Sequence, residues 1–275
     1  MTFIDFLIQT SLTEAGNVGN AFEKHIYKTL ENWLAGVVDT DQDVDRLFTA
    51  LSGVDPHCTI NTVAEVYWAG GSPTRPLLLD HSGSVIADLI FVMKNGGKRY
   101  VSIKHKSGST FANLGGATDL INPKTFAVNK RSEAAALVAD AGMDVAMIQQ
   151  GYADRANNVA SEFQTDERVS IPIIPGSALY DKIEHGWGKN YLYLREDPSA
   201  PNGWFAMNVN GRTQQKLLNN LVVYRIKYPH NRGKGSKQIS IFFKNDMFNY
   251  ELEIRNTDKG ELPNKVLIRT LPKPR

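Results

Sequence analysis

A carboxylate set in the middle of an apolar run calls for a chemical reason. Residues 85–93 read Val-Ile-Ala-Asp-Leu-Ile-Phe-Val-Met, with Asp88 among eight hydrophobic neighbours. A carboxylate taken out of water without partners is strongly destabilising. Partners are at hand in residues 99–106, a second strand-like run in which Tyr100, Ser102, Lys104 and Lys106 alternate with Val101, Ile103 and His105. The period of two gives that strand one side of hydroxyls and ammonium groups. Between the runs lies Lys94-Asn-Gly-Gly-Lys98, whose Asn95-Gly96 is a hairpin signal. A three-residue turn that pairs Lys94 with Lys98 sets Asp88 opposite Lys104. A two-residue turn at Asn95-Gly96 sets it beside Ile103 and diagonal to Ser102 and Lys104. Under both registers the carboxylate and the ammonium are neighbours.

A third group comes from the first helix. Val18, Phe22, Ile26, Tyr27, Leu30, Trp33 and Leu34 follow the helical period and predict an amphipathic helix over residues 16–34. Glu23 precedes Ile26, Tyr27, Leu30 and Leu34 by three, four, seven and eleven positions, which puts it on the inward stripe. Two readings stay open on these residues: a cluster that holds a divalent cation beside a phosphate, or a plain buried Asp88–Lys104 ion pair with Glu23 reaching water at the helix edge. Directly after Lys106, the glycine-rich residues 107–116 offer backbone amides to a phosphate. Lys106, Ser109, Thr110 and Asn113 are the candidate phosphate contacts there.

A helical Glu23, a strand Asp88 and a hairpin into Ser102-Ile103-Lys104 together resemble the PD-(D/E)xK, or restriction-endonuclease-like, nuclease superfamily over residues 16–150. The resemblance implies an α/β core of a helix, a mixed sheet and a flanking helix. It implies a metal-dependent DNA endonuclease in which Asp88 is the principal ligand of Mg²⁺, with Mn²⁺ able to substitute. Ile103 would offer its backbone carbonyl, Glu23 would complete the shell, and Lys104 would orient or activate the attacking water. Ser102 stands where the family usually carries an acidic residue, and Ala87 where it carries proline. A hydroxyl is a weaker magnesium ligand than a carboxylate, so Glu23, or secondarily Asp80, is the substitute. The alternative is a catalytically inactive DNA-binding protein of the same fold.

Composition is consistent with this class. The 275 residues, 42% of them hydrophobic, suffice for a globular core. The lone Cys58 excludes an intrachain disulfide framework and reads as a small buried hydrophobe, and the six histidines show no i, i+4 metal spacing. A P-loop, a dinucleotide fingerprint and a nucleophile elbow are all missing from the sequence. No secretory leader or membrane span is expected, so an intracellular setting is the default. The segment from Asp39 to Asp45 reads as an acidic, irregular link; Val44 and Ala50 spoil its likeness to a calcium loop.

The net charge of +2 conceals an asymmetry, for residues 205–275 hold 14 basic and 5 acidic side chains. Arg225, Lys227, Arg232, Lys234 and Lys237 interleave there with aromatic residues, a pattern suited to DNA phosphates. Strands are predicted at 191–194, 204–209, 221–228, 239–243, 250–254 and 266–270, and short helices near 132–141 and 214–219. The alanine-rich face of the former suits close packing on a sheet. The two prolines and glycine of residues 169–176 mark a boundary between a nuclease-like core, residues 1–170, and a basic β-rich region, 171–275. Cutting both strands would call for a homodimer.

Overall fold

The computed structural model describes residues 18–37, 42–69, 87–105, 110–114, 117–256 and 260–271. The first half of the chain runs α1 (Val18–Leu34), α2 (Gln42–Ser52), β1 (Val63–Trp68), β2 (Leu89–Met93), β3 (Lys98–Lys104), β4 (Thr110–Leu114) and α3 (Glu133–Asp140). It continues through α4 (Val145–Ala156), β5 (Asp166–Pro172), α5 (Ala178–Trp187), β6 (Tyr191–Glu196) and β7 (Trp204–Val209). The last elements are α6 (Gly211–Leu218), β8 (Val222–Lys227), β9 (Ile239–Lys244), β10 (Asn249–Arg255) and β11 (Lys265–Leu271). The protein is therefore α/β, and among the described residues no helix is long and apolar enough to cross a membrane.

Two compact units emerge, and neither is a continuous stretch: residues 1–109 with 188–214, and residues 110–187 with 215–275. The expected division at 169–176 is corrected by this arrangement. Those residues form β5 and the turn after it, inside the second unit, with Pro172 ending an edge strand where its missing N–H costs no ladder bond. The strands of residues 191–209, assigned from sequence to the basic region, instead complete the first unit's sheet.

The first unit is a mixed sheet in the order β1-β2-β3-β6-β7, antiparallel except for the parallel pair β3–β6. Alternation along the strands separates its faces. Leu89, Phe91, Val101, Ile103, Leu192 and Leu194 turn to one side and bury against Phe22, Ile26 and Leu30 of α1 and Val44, Leu47, Phe48 and Leu51 of α2. Helix α2 corrects, over Gln42 to Asp45, the irregular acidic link expected from Asp39 to Asp45, whose first three residues lie outside the described ones. Its aspartates Asp43 and Asp45 occupy the first turn, where negative charge complements the helix dipole, and its apolar residues keep an i, i+3, i+4, i+7 spacing.

The β2–β3 hairpin also departs from both expected registers. Leu89 pairs with Val101 and Val92 with Lys98, so the loop is Lys94-Asn95-Gly96 between Met93 and Gly97. A two-residue turn of the expected kind needs positive φ at both central positions. Here Gly96 alone takes it, at 81°, and its N–H donates to Met93 O at 2.8 Å. The register ends at Leu89–Val101, and Asp88, one residue before it, meets Ser102 through its side chain.

The second unit is built on an antiparallel sheet in the order β4-β11-β10-β9-β8-β5. Its strands bury Ile239, Ile241, Phe243, Tyr250, Leu252, Ile254, Val266 and Ile268. Ser132 caps α3 by accepting from Ala135 N at 3.1 Å. The alanine-rich α3 packs on α5, and α5 on β4.

Phe48, 3% exposed and in ring contact with both Trp33 and Phe91, ties α2 to α1 and the sheet. Phe48→Ala should lower the unfolding free energy by about 3–5 kcal/mol. Tyr67→Ser, at a position 50% exposed, should change it by no more than about 0.5 kcal/mol. Urea titration of the full chain measures both, and equal effects would contradict this packing.

Candidate metal and phosphate site

Asp88 precedes β2 by one residue but stays in the ladder. Its N–H donates to Val101 O at 2.9 Å, and its carbonyl accepts from Ala69 N at 2.8 Å. The backbone is thereby fixed on both sides, and the side chain reaches residues 102–104 of β3. There Asp88 Oδ2 accepts three hydrogen bonds: from Ser102 Oγ at 3.0 Å, Ile103 N at 2.7 Å and Lys104 Nζ at 2.8 Å. The Lys104 and Asp88 side chains are only 11% and 14% exposed. Bonds to a charged acceptor contribute about 1.5–3 kcal/mol each, which offsets the desolvation of the carboxylate.

Glu23, 8% exposed on α1, joins them through its charge. Burial pushes the Lys104 ammonium down, but Asp88 first, then Glu23 and Tyr193, more than reverse this and hold it above the usual lysine range. Lys104 therefore stays protonated at neutral pH. The sequence-predicted Glu23, Asp88, Ser102 and Lys104 do gather at one end of β3. Ile103 contributes its backbone alone, since its side chain lies in the core. The N–H and C=O of a strand residue project toward the same edge, so the Ile103 carbonyl faces the β2 side, where Asp88 sits.

Strand β6 adds residues that sequence reasoning missed. The parallel register sets Tyr193 beside Ser102 and Arg195 beside Lys104. Arg195 donates to Asp197 Oδ2 at 3.0 Å and lies 5.2 Å over the Phe205 ring. On the helix-facing side, His105 Nδ1 is 2.6 Å from Glu196 Oε2, and the His105 ring lies 4.7 Å from that of Phe22. The Tyr191-Leu-Tyr-Leu-Arg195 alternation was the available signal. What it lacked was the identity of its partner strand, whose paired residues lie 91 positions earlier in the chain.

The remaining candidates scatter. Lys106, Ser109 and Asp80 lie outside the described residues. Thr110 and Asn113 fall on β4, paired with Arg269 and Leu267 in the second unit. Arg225 donates from Nε to Asp166 Oδ1 at 2.7 Å and lies 5.1 Å over Phe242, while Lys227 Nζ is 3.6 Å from Asp166. The Arg225 hydrogen bond, with Lys227 behind it, holds the Asp166 carboxyl below the usual range against the opposing effect of burial. Lys237 Nζ donates to Gly260 O at 2.9 Å, and Arg232 and Lys234 are exposed. Cys58 is fully buried, and burial pushes its thiol up to about 12, as suits an inert small hydrophobe. Among the described residues no group of three or more His, Cys, Asp or Glu side chains could hold a metal ion; the donors beside Lys104 are two carboxylates and a carbonyl.

Lys104→Met should cost about 3–5 kcal/mol, because it strips the cation from a buried pair, whereas Asp88→Asn combined with Lys104→Met should cost less than the two single changes added. The pair's contribution, fully present below the ordinary lysine value of about 10.4, should be lost as pH rises through the higher folded value. The alkaline arm of a stability–pH curve should flatten in Lys104→Met, and an unchanged arm would remove the pair from this role. No protein-family model, curated protein or solved structure matches this chain.

Proposed function

We propose that the chain is a metal-dependent DNA endonuclease with a restriction-endonuclease-like core. The observation that carries this reading is the convergence of Glu23 from a helix, Asp88 from the residue that leads into a strand and Lys104 from the next strand of a mixed sheet. All three donors to Asp88 use Oδ2, which leaves the coordinating capacity of Oδ1 outside that network. Two carboxylates and a backbone carbonyl fit magnesium, which is commonly bound by one or two carboxylates with substrate phosphate and water completing the shell.

Asp88, Glu23 and the Ile103 carbonyl would hold the ion, which supplies Lewis-acid polarisation of the phosphoryl oxygen and charge neutralisation when bound. Lys104, kept protonated by its neighbours, acts as a positioning donor to the attacking water and as a positive charge toward the phosphate, not as the group that takes the proton. Ser102 donates to Asp88 and fixes the carboxylate's rotamer. The exposed Arg232 and Lys234, and the half-exposed Arg225 and Lys227, supply phosphate contacts, so DNA affinity falls steeply with added salt. Ser102 in the place of the family's acidic residue favours one second reading, a DNA-binding protein of this fold without catalysis.

Supercoiled plasmid incubated with Mg²⁺ or Mn²⁺ should be nicked or linearised, and Asp88→Ala should slow this by about 100-fold or more. Intact plasmid under both metals, with salt-sensitive retention on DNA, would select the binding-only reading. Metal binding has its own readout in Ser102→Asp. Beside Asp88, the added carboxylate should lower the melting temperature without divalent ions, and Mg²⁺ should restore it by more than it raises that of the unsubstituted protein. Equal magnesium effects on the two chains would argue against a cation at this position.

A further inference from the structure

A cavity of about 190 Å³ opens in the first unit on the helix-facing side of the sheet, between α1, α2 and the β6–β7 loop. Phe22 and Trp204, their ring centroids 6.1 Å apart, are part of its apolar wall, and Arg46, Asn202, Glu196, Asp43 and His25 are among its polar groups. The volume lies below the roughly 300–1,000 Å³ of sites for drug-sized molecules, so it suits one small ring system.

Its chemistry narrows the occupant. Glu196 and Asp43 both line the cavity with Arg46, which lies 3.8 Å from Asp43, so a free anion would meet two carboxylates as well as the cation. A neutral planar ligand with mixed donors and acceptors meets no such penalty. Nucleobase edges have that character: a carboxylate accepts from an exocyclic amine, Asn bonds both donors and acceptors, Arg donates to ring nitrogens and carbonyls, and an indole offers a stacking face.

Position adds a second, independent argument. Phe22 immediately precedes Glu23, and His105, which pairs with Glu196, immediately follows Lys104. The cavity and the carboxylate cluster are thus reached by consecutive residues on the same helix and the same strand end, which lie about 3.8 Å apart at Cα. We propose that this cavity receives a single unstacked base of the DNA strand whose phosphate is held at Asp88 and Lys104. This rests on the nuclease reading for its choice of strand, although base binding itself is measurable without cleavage.

The full-length protein is titrated, in EDTA, with an eight-nucleotide DNA strand whose single base is 2-aminopurine and whose other sites are abasic, and with the same strand fully abasic. The expected result is a saturable change in 2-aminopurine fluorescence and about 10-fold or more tighter binding of the base-bearing strand. Arg46→Ala and Asn202→Ala, both at the cavity rim, should abolish that preference while leaving the fully abasic strand bound as before. Equal affinity for the two strands, or a preference untouched by both substitutions, would overturn the proposal. Plasmid cleavage by the same preparation separates the two ideas. Cleavage without base preference eliminates the cavity's role alone, whereas base preference without cleavage upholds the base site and eliminates catalysis.

Discussion

Desolvation of the Asp88 carboxylate is the constraint around which the first unit is organised. Its backbone is locked between Ala69 and Val101, so the side chain cannot withdraw to water, and the sheet must bring donors to it. Three consecutive residues do so in different ways: a hydroxyl from Ser102, a main-chain amide from Ile103 and an ammonium from Lys104. Only one register lets all three reach the same oxygen. A slip of one residue would also turn Val101 and Ile103 out of the core, so core packing and carboxylate satisfaction enforce the same pairing. The serine has a physical role in this setting. Within hydrogen-bond reach of Asp88, a hydroxyl donates where a second carboxylate would repel, and Lys104 already has Glu23 as well as Asp88 to balance.

The separation of the two sheet faces follows from the same geometry. Residues 101 and 103 bury beneath α1 and α2 while 102 and 104 face away, and α1 presents Phe22 to the core yet keeps Glu23 close enough for its charge to act on Lys104. The parallel neighbour β6 extends both surfaces. It adds Leu192 and Leu194 to the core and Tyr193 and Arg195 to the polar side. A parallel pair cannot be joined by a tight turn, so the chain between β3 and β6 must make a long excursion, and that excursion contains β4, β5 and three helices of the second unit.

This excursion explains what was legible in the sequence and what was not. Asp88 lies one residue before, and Lys104 on, strands joined by a short hairpin, and Glu23 shares a helical period with the core, so local patterns pointed to all three. The register was not legible, because Asn95-Gly96 signals a tight turn whereas the backbone places positive φ at Gly96 and not at Asn95. Helix α2 was hidden by its aspartates, which read as a loop although Val44, Leu47, Phe48 and Leu51 carry a full apolar stripe. The division into units was beyond any linear scan. Composition changes along the chain, whereas both units are assembled from segments that interrupt one another. For the same reason Tyr193 and Arg195 had no visible partner.

Charge counting met a related limit. The excess of basic side chains in residues 205–275 suggests a strongly cationic surface, but several of them are engaged inside the second sheet. Arg225 and Lys227 share Asp166; Arg269 grips both Glu251 and Glu253, and Arg255 lies 3.2 Å from Glu253. Glu251 and Glu253 are 4% and 3% exposed, and burial pushes the Glu253 carboxyl up despite these arginines. Buried carboxylates without cations would be far more costly, so part of the basic excess serves to neutralise the sheet's own acids. The field left to act on a polyanion comes from residues such as Arg232 and Lys234, which stand in water at the loop between β8 and β9. Among the described residues, the cations of this unit that have no carboxylate partner are therefore fewer than the sequence total implies.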